Sequence, residues 1–284
     1  HPLLKAFYEK LVEAFRSFML VGGMPEAVAA YAQTGSYRAS SDIVNEILQG
    51  YEDDFAKYSA KANPVLLRQT LVSVAHQVGA KFVYSRVEGQ YRSAEVKTAL
   101  EMLRDAGLII PAYHTDANGI PLGAEINERV VKYLVHDSGI LLALLGIDDD
   151  TESLVKELMV ENVVDLVDKG NVAEMIAGLE IMKCYSPQKR HQLYYWQNMN
   201  KGTCAEVDYI IAQGSRIVPI EVKSGVKGSM SSMYSLMKNP QKHIGRGVRC
   251  SLENFGSFLS PDGKTIDIIP LFAISSLFPR SRQE

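Results

Sequence analysis

The sequence predicts a multidomain protein of the α+β and α/β classes, with a helical N-terminal module over residues 1–61, a mixed module over 62–148 and a C-terminal mixed sheet flanked by helices over 149–284. Three observations predict it. Apolar residues recur at helical spacing through the first third. In the middle, punctuated helices give way to two β-like runs. In the last third, a helical segment precedes two short alternating runs, 206–211 and 218–223, joined by a turn signal. A length of 284 residues also exceeds what one core usually serves.

Leu3, Leu4, Phe7, Leu11, Phe15 and Phe18 step by three and four, so the chain opens within an amphipathic helix and is expected to follow a native N-terminal neighbour. Gly22-Gly23-Met24-Pro25 supplies a tight turn and a proline suited to the first turn of a helix over 25–31. A third helical pattern covers 41–58, with Ile43, Ile47, Leu48, Tyr51 and Phe55 on one face. Asn63-Pro64 reads as an N-cap followed by proline, and Leu67, Leu71, Val74 and Val78 carry that helix to Gly79. Ser93 is the expected cap of a further helix, with Glu95 at its positive end, Val96, Leu100 and Leu103 as its stripe and Gly107 as its stop. Runs 108–113 and 130–135 then flank Asn118-Gly119. Helix, link, helix and β-ribbon is the order of a winged helix, so 62–148 is expected to be winged-helix-like.

The apolar run 139–146 is too short for a bilayer and reads as a buried helix. Asp148-Asp149-Asp150 marks a boundary near 149, followed by a connector helix over 151–160. Beyond it come a helix over 171–182, a strand centred on 194–196 and strands around 207–211 and 218–222, with a frayed tail over 279–284. The net charge of −3 advertises no global attraction to nucleic acid, so any such contact needs a local patch. Cys184, Cys204 and Cys250 are an odd number without a CxxC pair, which argues against a disulfide framework or a zinc ribbon. No membrane partner and a cytoplasmic location are expected.

The chemistry concentrates in the last third. Gly214-Ser215 turns the run ending at Ile211 into the run opening at Val218, so Asp208 should lie opposite Glu221. Residues two apart share a strand face, which sends Glu221 and Lys223 one way and Ile220 and Val222 into a core. Two carboxylates on adjacent strands suit Mg²⁺, which keeps water and phosphate oxygens in its shell. Asp208 and Glu221 are therefore the candidate metal ligands and catalytic acids, Lys223 the candidate catalytic lysine, and Glu174 on the preceding helix a candidate third carboxylate. The bland alternative is a surface ion pair on a half-exposed hairpin.

Tyr194-Tyr195-Trp196, Ala205-Glu206-Val207-Asp208 and Pro219-Ile220-Glu221-Val222-Lys223-Ser224-Gly225 resemble the uncharacterised C-terminal domain of prokaryotic AAA-type ATPases. The resemblance extends through Gly22-Gly23-Met24-Pro25, Ala106-Gly107-Leu108 and Ile120-Pro121-Leu122, and so covers nearly the whole chain. It implies a winged-helix-like segment behind an ATPase domain, ending in a restriction-endonuclease-like region in which Asp208, Glu221 and Lys223 match the PD-(D/E)XK signature. The ATPase domain is expected as a partner outside this chain. Gly263-Lys264-Thr265 imitates the end of a phosphate-binding loop, but Phe258 stands where the loop needs glycine, so Pro261-Asp262-Gly263 reads as a plain turn.

For nucleic acid, Arg92 and Lys97 on the helix after Ser93, and Lys242 and Arg246 after the hairpin, are the candidate contacts. Glu95, Glu101 and Asp105 share the first helix, so docking to a protein is the competing use of that face. Tyr194-Tyr195-Trp196 has a base-stacking reading, and packing against a helix is the commoner explanation. The expectation is a nucleic-acid-associated module of an AAA-type ATPase with a metal-dependent nuclease-like site, or else a noncatalytic interaction or regulatory module.

Overall fold

The computed structural model describes residues 2–57, 62–147, 169–186, 188, 191–198, 205–225 and 228–278. The expected connector helix over 151–160, the acidic triplet and the tail lie outside these residues. The architecture is mixed α/β with two mixed sheets. It divides into two compact units, one of Glu13–Pro111 with Lys132–Asp168 and one of His1–Val12, Ala112–Val131 and Lys169–Glu284. The strand Leu193–Gln197 of the C-terminal region pairs with the strand Ile109–Thr115 of the middle region.

Helix α1 (Lys5–Val21), whose residues from Glu13 on belong to the first unit, leads through Gly22-Gly23 into α2 (Pro25–Thr34) and α3 (Tyr37–Lys57). Asn63 caps α4 (Pro64–His76) by accepting the Val65 amide at 2.9 Å. A 3-10 turn at Tyr84–Arg86 precedes α5 (Ser93–Asp105). Arg92, not Ser93, is the residue before that helix, and Glu95 reaches back to accept its backbone amide at 2.8 Å. The expected serine cap is thus replaced by a carboxylate that satisfies the amide from inside the helix. Val96, Ala99, Leu100 and Leu103 form the buried stripe, and Gly107 ends the helix at φ +77°. Lys81 makes an isolated antiparallel bridge to Lys132.

The Gly22-Gly23 turn has a tertiary cause. Asp137 caps α6 (Ser138–Leu144) by accepting the Ile140 amide at 3.1 Å, and its other oxygen accepts the Gly23 amide at 2.6 Å. Gly22 sits at φ +78°, and a Cβ there would collide with the Asp137 carboxylate. Gly139 on α6 approaches from the other side, where a Cβ would stand 2.7 Å from the Val21 carbonyl oxygen. One buried carboxylate therefore joins two backbone segments far apart in sequence.

The strands and the remaining helices follow. Strands β1 (Ile109–Thr115) and β2 (Ile126–Val135), divided between the two units, come first. All later elements lie in the second unit, beginning with α7 (Lys169–Lys183), β3 (Leu193–Gln197), β4 (Glu206–Val207), β5 (Tyr209–Gln213) and β6 (Arg216–Val222). Helix α8 (Ser231–Lys238) precedes β7 (Arg246–Ser251), β8 (Gly256–Leu259) and β9 (Thr265–Pro270). The sheets run β2-β1-β3-β4 and β5-β6-β7-β9-β8. β3 joins β1 in parallel and β4 antiparallel; β6, β7 and β9 are mutually parallel, and hairpins supply β5 and β8 at the two edges. The β1–β2 loop is no free wing: Ala117 and Leu122 lie in one apolar cluster with Trp196, Val207, Ile210 and Met233. Tyr195 and Trp196 are buried too, which is the packing reading of the aromatic run. Gly263, at φ +76°, turns β8 into β9 as a plain turn.

Removing the Asp137 carboxylate leaves the Gly23 and Ile140 amides without their acceptor. Asp137→Ala is expected to cost about 2 kcal/mol of unfolding free energy. A urea midpoint equal to that of the parent chain would refute this account of the turn.

Candidate active site

The site begins with a broken strand. β4 and β5 are one run interrupted by a bend at Asp208, the residue where the chain stops pairing with β3 and starts pairing with β6. The β5–β6 register pairs Tyr209 with Ile220, and one further step puts Asp208 opposite Glu221. The turn is the expected Gly214-Ser215, with Gly214 at φ +59°. Free of the ladder, Asp208 turns its carboxylate onto the next strand and accepts the Val222 amide at 2.7 Å.

Glu221 and Lys223 share a face, as the alternation predicts. The Lys223 ammonium lies 2.6 Å from Glu221 Oε1, while Glu221 Oε2 is buried without a hydrogen-bond partner. Glu221 retains 5% of its exposure, which is incompatible with a surface pair on a half-exposed hairpin. The reason is that the sheet is covered on both sides. On the Glu221 face, Met233 and Met237 of α8 come so close that a Cβ at Gly247 would stand 2.6 Å from the Met233 sulfur. On the opposite face, the Tyr209 hydroxyl donates to the Glu174 carbonyl of α7 at 2.8 Å.

Burial pushes the Glu221 carboxyl up to about 7, the neighbouring Asp208 charge pushes the same way, and Lys223 opposes both. Tyr209 is pushed well up by burial and then by the charges of Glu174 and Asp208. Glu174 is buried on α7, where its backbone carbonyl accepts the Tyr209 hydroxyl. Among the described residues no group of three or more His, Cys, Asp or Glu side chains is gathered as a metal cluster.

The other expected site residues fall elsewhere. Arg92, just before α5, and Lys97 on it are exposed, and Lys97 pairs loosely with Glu101 at 3.9 Å. Lys242 is buried: its ammonium donates to the Asp116 carbonyl and, at 2.9 Å, to Asn118 Oδ1, and stands 5.9 Å over the Trp196 ring. This ties the β1–β2 loop to the core. Arg246 is held by Asp267 at 3.2 Å and by Gln213 at 2.7 Å. Two further residues adjoin the site, Arg249 from the basic group that follows the hairpin in sequence, and Gly228. Arg249 is paired with Glu221 across the parallel β6–β7 ladder, and Gly228 lies where a Cβ would stand 2.7 Å from Lys223 Cδ. Their signal is positional, and it needs the β6–β7 register to be read.

A carboxyl raised from 4.5 to about 7 makes stability depend on pH. The unfolded chain releases the Glu221 proton first, so stability falls as pH rises through this window, by on the order of 3 kcal/mol from this group. Glu221→Gln should flatten that slope in urea unfolding series at about pH 5 and about pH 8. An unchanged slope would mean that another group governs it.

Compared with known protein families, residues 12–151 match a domain of unknown function designated DUF8612, and residues 169–273 match a second, DUF4143. The first match spans both the helical module and the middle module read from the sequence; the second holds the hairpin and all of Asp208, Glu221 and Lys223. No curated protein and no solved structure matches the chain. Among the described residues, no helix is long and apolar enough to cross a membrane.

Proposed function

We propose that this chain is the nucleic-acid-associated C-terminal module of an AAA-type ATPase and carries a metal-dependent, nuclease-like site at Asp208, Glu221 and Lys223. The observation that carries the reading is the unpartnered, buried oxygen of Glu221, set beside Asp208 and an ammonium. A buried polar atom without a partner costs stability, and a hard cation is the natural partner for a carboxylate oxygen. Two carboxylates suffice for Mg²⁺ that keeps water and phosphate oxygens as its remaining ligands. Such an ion would supply charge neutralisation at a scissile phosphate and a more acidic bound water.

The chain's own groups have separable roles in this reading. Asp208 is aimed by the Val222 amide, and Glu221 is held by Lys223 with one oxygen left over. Lys223 presents an ammonium beside the carboxylates, suited to orient a water or to stabilise charge developing on a phosphate. The arrangement of α4, the Lys81 bridge, the 3-10 turn, α5 and the β1–β2 ribbon supports a winged-helix-like reading of the middle segment. Arg92 and Lys97 are then its candidate phosphate contacts, with Arg246 a lesser one. A DUF4143 match supports the link to an ATPase through the resemblance given above.

A specific observation favours the rival, noncatalytic reading for part of the surface. The β1–β2 loop and Lys242, which a nucleic-acid path would use, are committed to the core. A protein-docking module would tolerate that placement.

The test incubates the chain with single- and double-stranded DNA and RNA in Mg²⁺ or Mn²⁺. Glu221→Ala and Lys223→Ala are each expected to lower the cleavage rate by at least about a hundredfold. Saturating Mg²⁺ should raise the melting temperature by a few degrees, more at about pH 8 than at about pH 6, and not in Glu221→Gln. Cleavage indifferent to both substitutions would refute the site; absence of both cleavage and thermal shift would leave the docking module. For α5, Arg92→Ala with Lys97→Ala should weaken DNA binding and flatten its salt dependence by about two counterions. Unchanged salt dependence would remove α5 from the interface.

A further inference from the structure

Arg249 is the buried cation of β7, with 7% exposure, on the same sheet face as Glu221. A buried guanidinium is costly unless its donors are used. Here Nε lies 2.8 Å from Glu253 Oε2, and Nη2 donates to the Gly225 carbonyl at 3.3 Å. Gly225 stands two residues beyond Lys223. Gly228, further along the same segment, rests on the methylenes of Lys223, whose side chain keeps 22% of its exposure.

Glu253 is itself fixed from several directions. Its carboxylate accepts the Ser251 hydroxyl at 2.9 Å, and its backbone amide donates back to the same hydroxyl at 3.2 Å. On either side, the Leu252 carbonyl accepts the Tyr8 hydroxyl, and Asn254 exchanges two hydrogen bonds with the Leu3 backbone at 2.9 and 2.8 Å. Glu253 therefore holds the guanidinium through an ion pair rather than a hydrogen bond at Nε, and Nη2 at the far end reaches the Gly225 carbonyl. Burial keeps it from meeting a substrate phosphate directly, which distinguishes its role from that of Lys223.

We propose that Arg249, oriented by Glu253, is a positioning residue that holds the Gly225 carbonyl and thereby keeps the Lys223 ammonium on Glu221. The catalytic part of this inference rests on the nuclease-like reading; the positional part does not.

The experiment therefore has two arms on the intact chain. The first labels lysines with an amine-reactive ester and follows Lys223 by peptide mass spectrometry in Arg249→Lys, which keeps charge but loses the fork, and in the near-isosteric Glu253→Gln. Lys223 should acylate at least about threefold faster in both, while Lys264, whose ammonium is bonded to the Met237 carbonyl, stays unchanged. Equal Lys223 labelling in either folded variant would overturn the proposal. Should Arg249→Lys fail to fold, Glu253→Gln decides alone.

The second arm measures metal-dependent DNA cleavage. Both variants should lower kcat by roughly tenfold with KM within about twofold, and neither should lower activity further in a Lys223→Ala background. A purely structural role predicts additive losses, and that result would overturn the positioning assignment. A parent chain that cleaves nothing defeats the nuclease-like reading, and the labelling arm still decides Arg249.

Discussion

The constraint on which the C-terminal unit depends is the break in its strand at Asp208. A continuous strand from Glu206 to Gln213 would have held every backbone group in one ladder and left no carboxylate at liberty to turn. Breaking it lets β4 serve β3 while β5 serves β6, so one run of chain joins the two sheets. Asp208 is left at the junction and satisfies the Val222 amide with its own carboxylate. The structural repair and the placing of the acid are one contact.

Two of the charged groups near that junction, Glu221 and Arg249, are buried inside a covered sheet. α8 lies on one face and α7 on the other, so Glu221 and Arg249 are each removed from water on the same side. In such surroundings a carboxylate is raised toward neutrality, and a cation survives only with its donors used. Glu221 meets Lys223 on one oxygen and nothing on the other, whereas Arg249 meets Glu253 and Gly225. Glu221 keeps a carboxylate oxygen outside any hydrogen bond, whereas Arg249 is engaged by an ion pair to Glu253, not a hydrogen bond at Nε, and by one bond to the Gly225 carbonyl. That contrast separates a candidate ligand from a candidate positioner.

The first unit shows the same economy at Asp137. Its two oxygens accept amides from the turn after α1 and from the start of α6, which explains why the Gly22-Gly23 pair admits no side chain at its first position. The glycines are legible in sequence as a turn, but the carboxylate that requires them sits more than a hundred residues away. The α5 cap illustrates the local counterpart. Glu95 rather than Ser93 supplies the bond, a choice between two adjacent polar groups that helix periodicity does not distinguish.

By itself the sequence determined the local features: the helices from their three-and-four spacing, the Asn63 cap, the Gly214-Ser215 hairpin, and hence the alignment of Asp208 with Glu221 and of Glu221 with Lys223. These depend on periods and turn chemistry within a dozen or so residues. Only the tertiary structure decided that both faces of the hairpin are covered, that α7 packs on the Tyr209 side, that Lys242 is a buried tie and that Arg249 is Glu221's neighbour. Each of those depends on which distant segment packs against the hairpin or pairs with it, and burial and register between non-adjacent elements are set by the whole chain. The sequence thus located three charged groups on one hairpin, and the fold decided which of them kept an unmet bond.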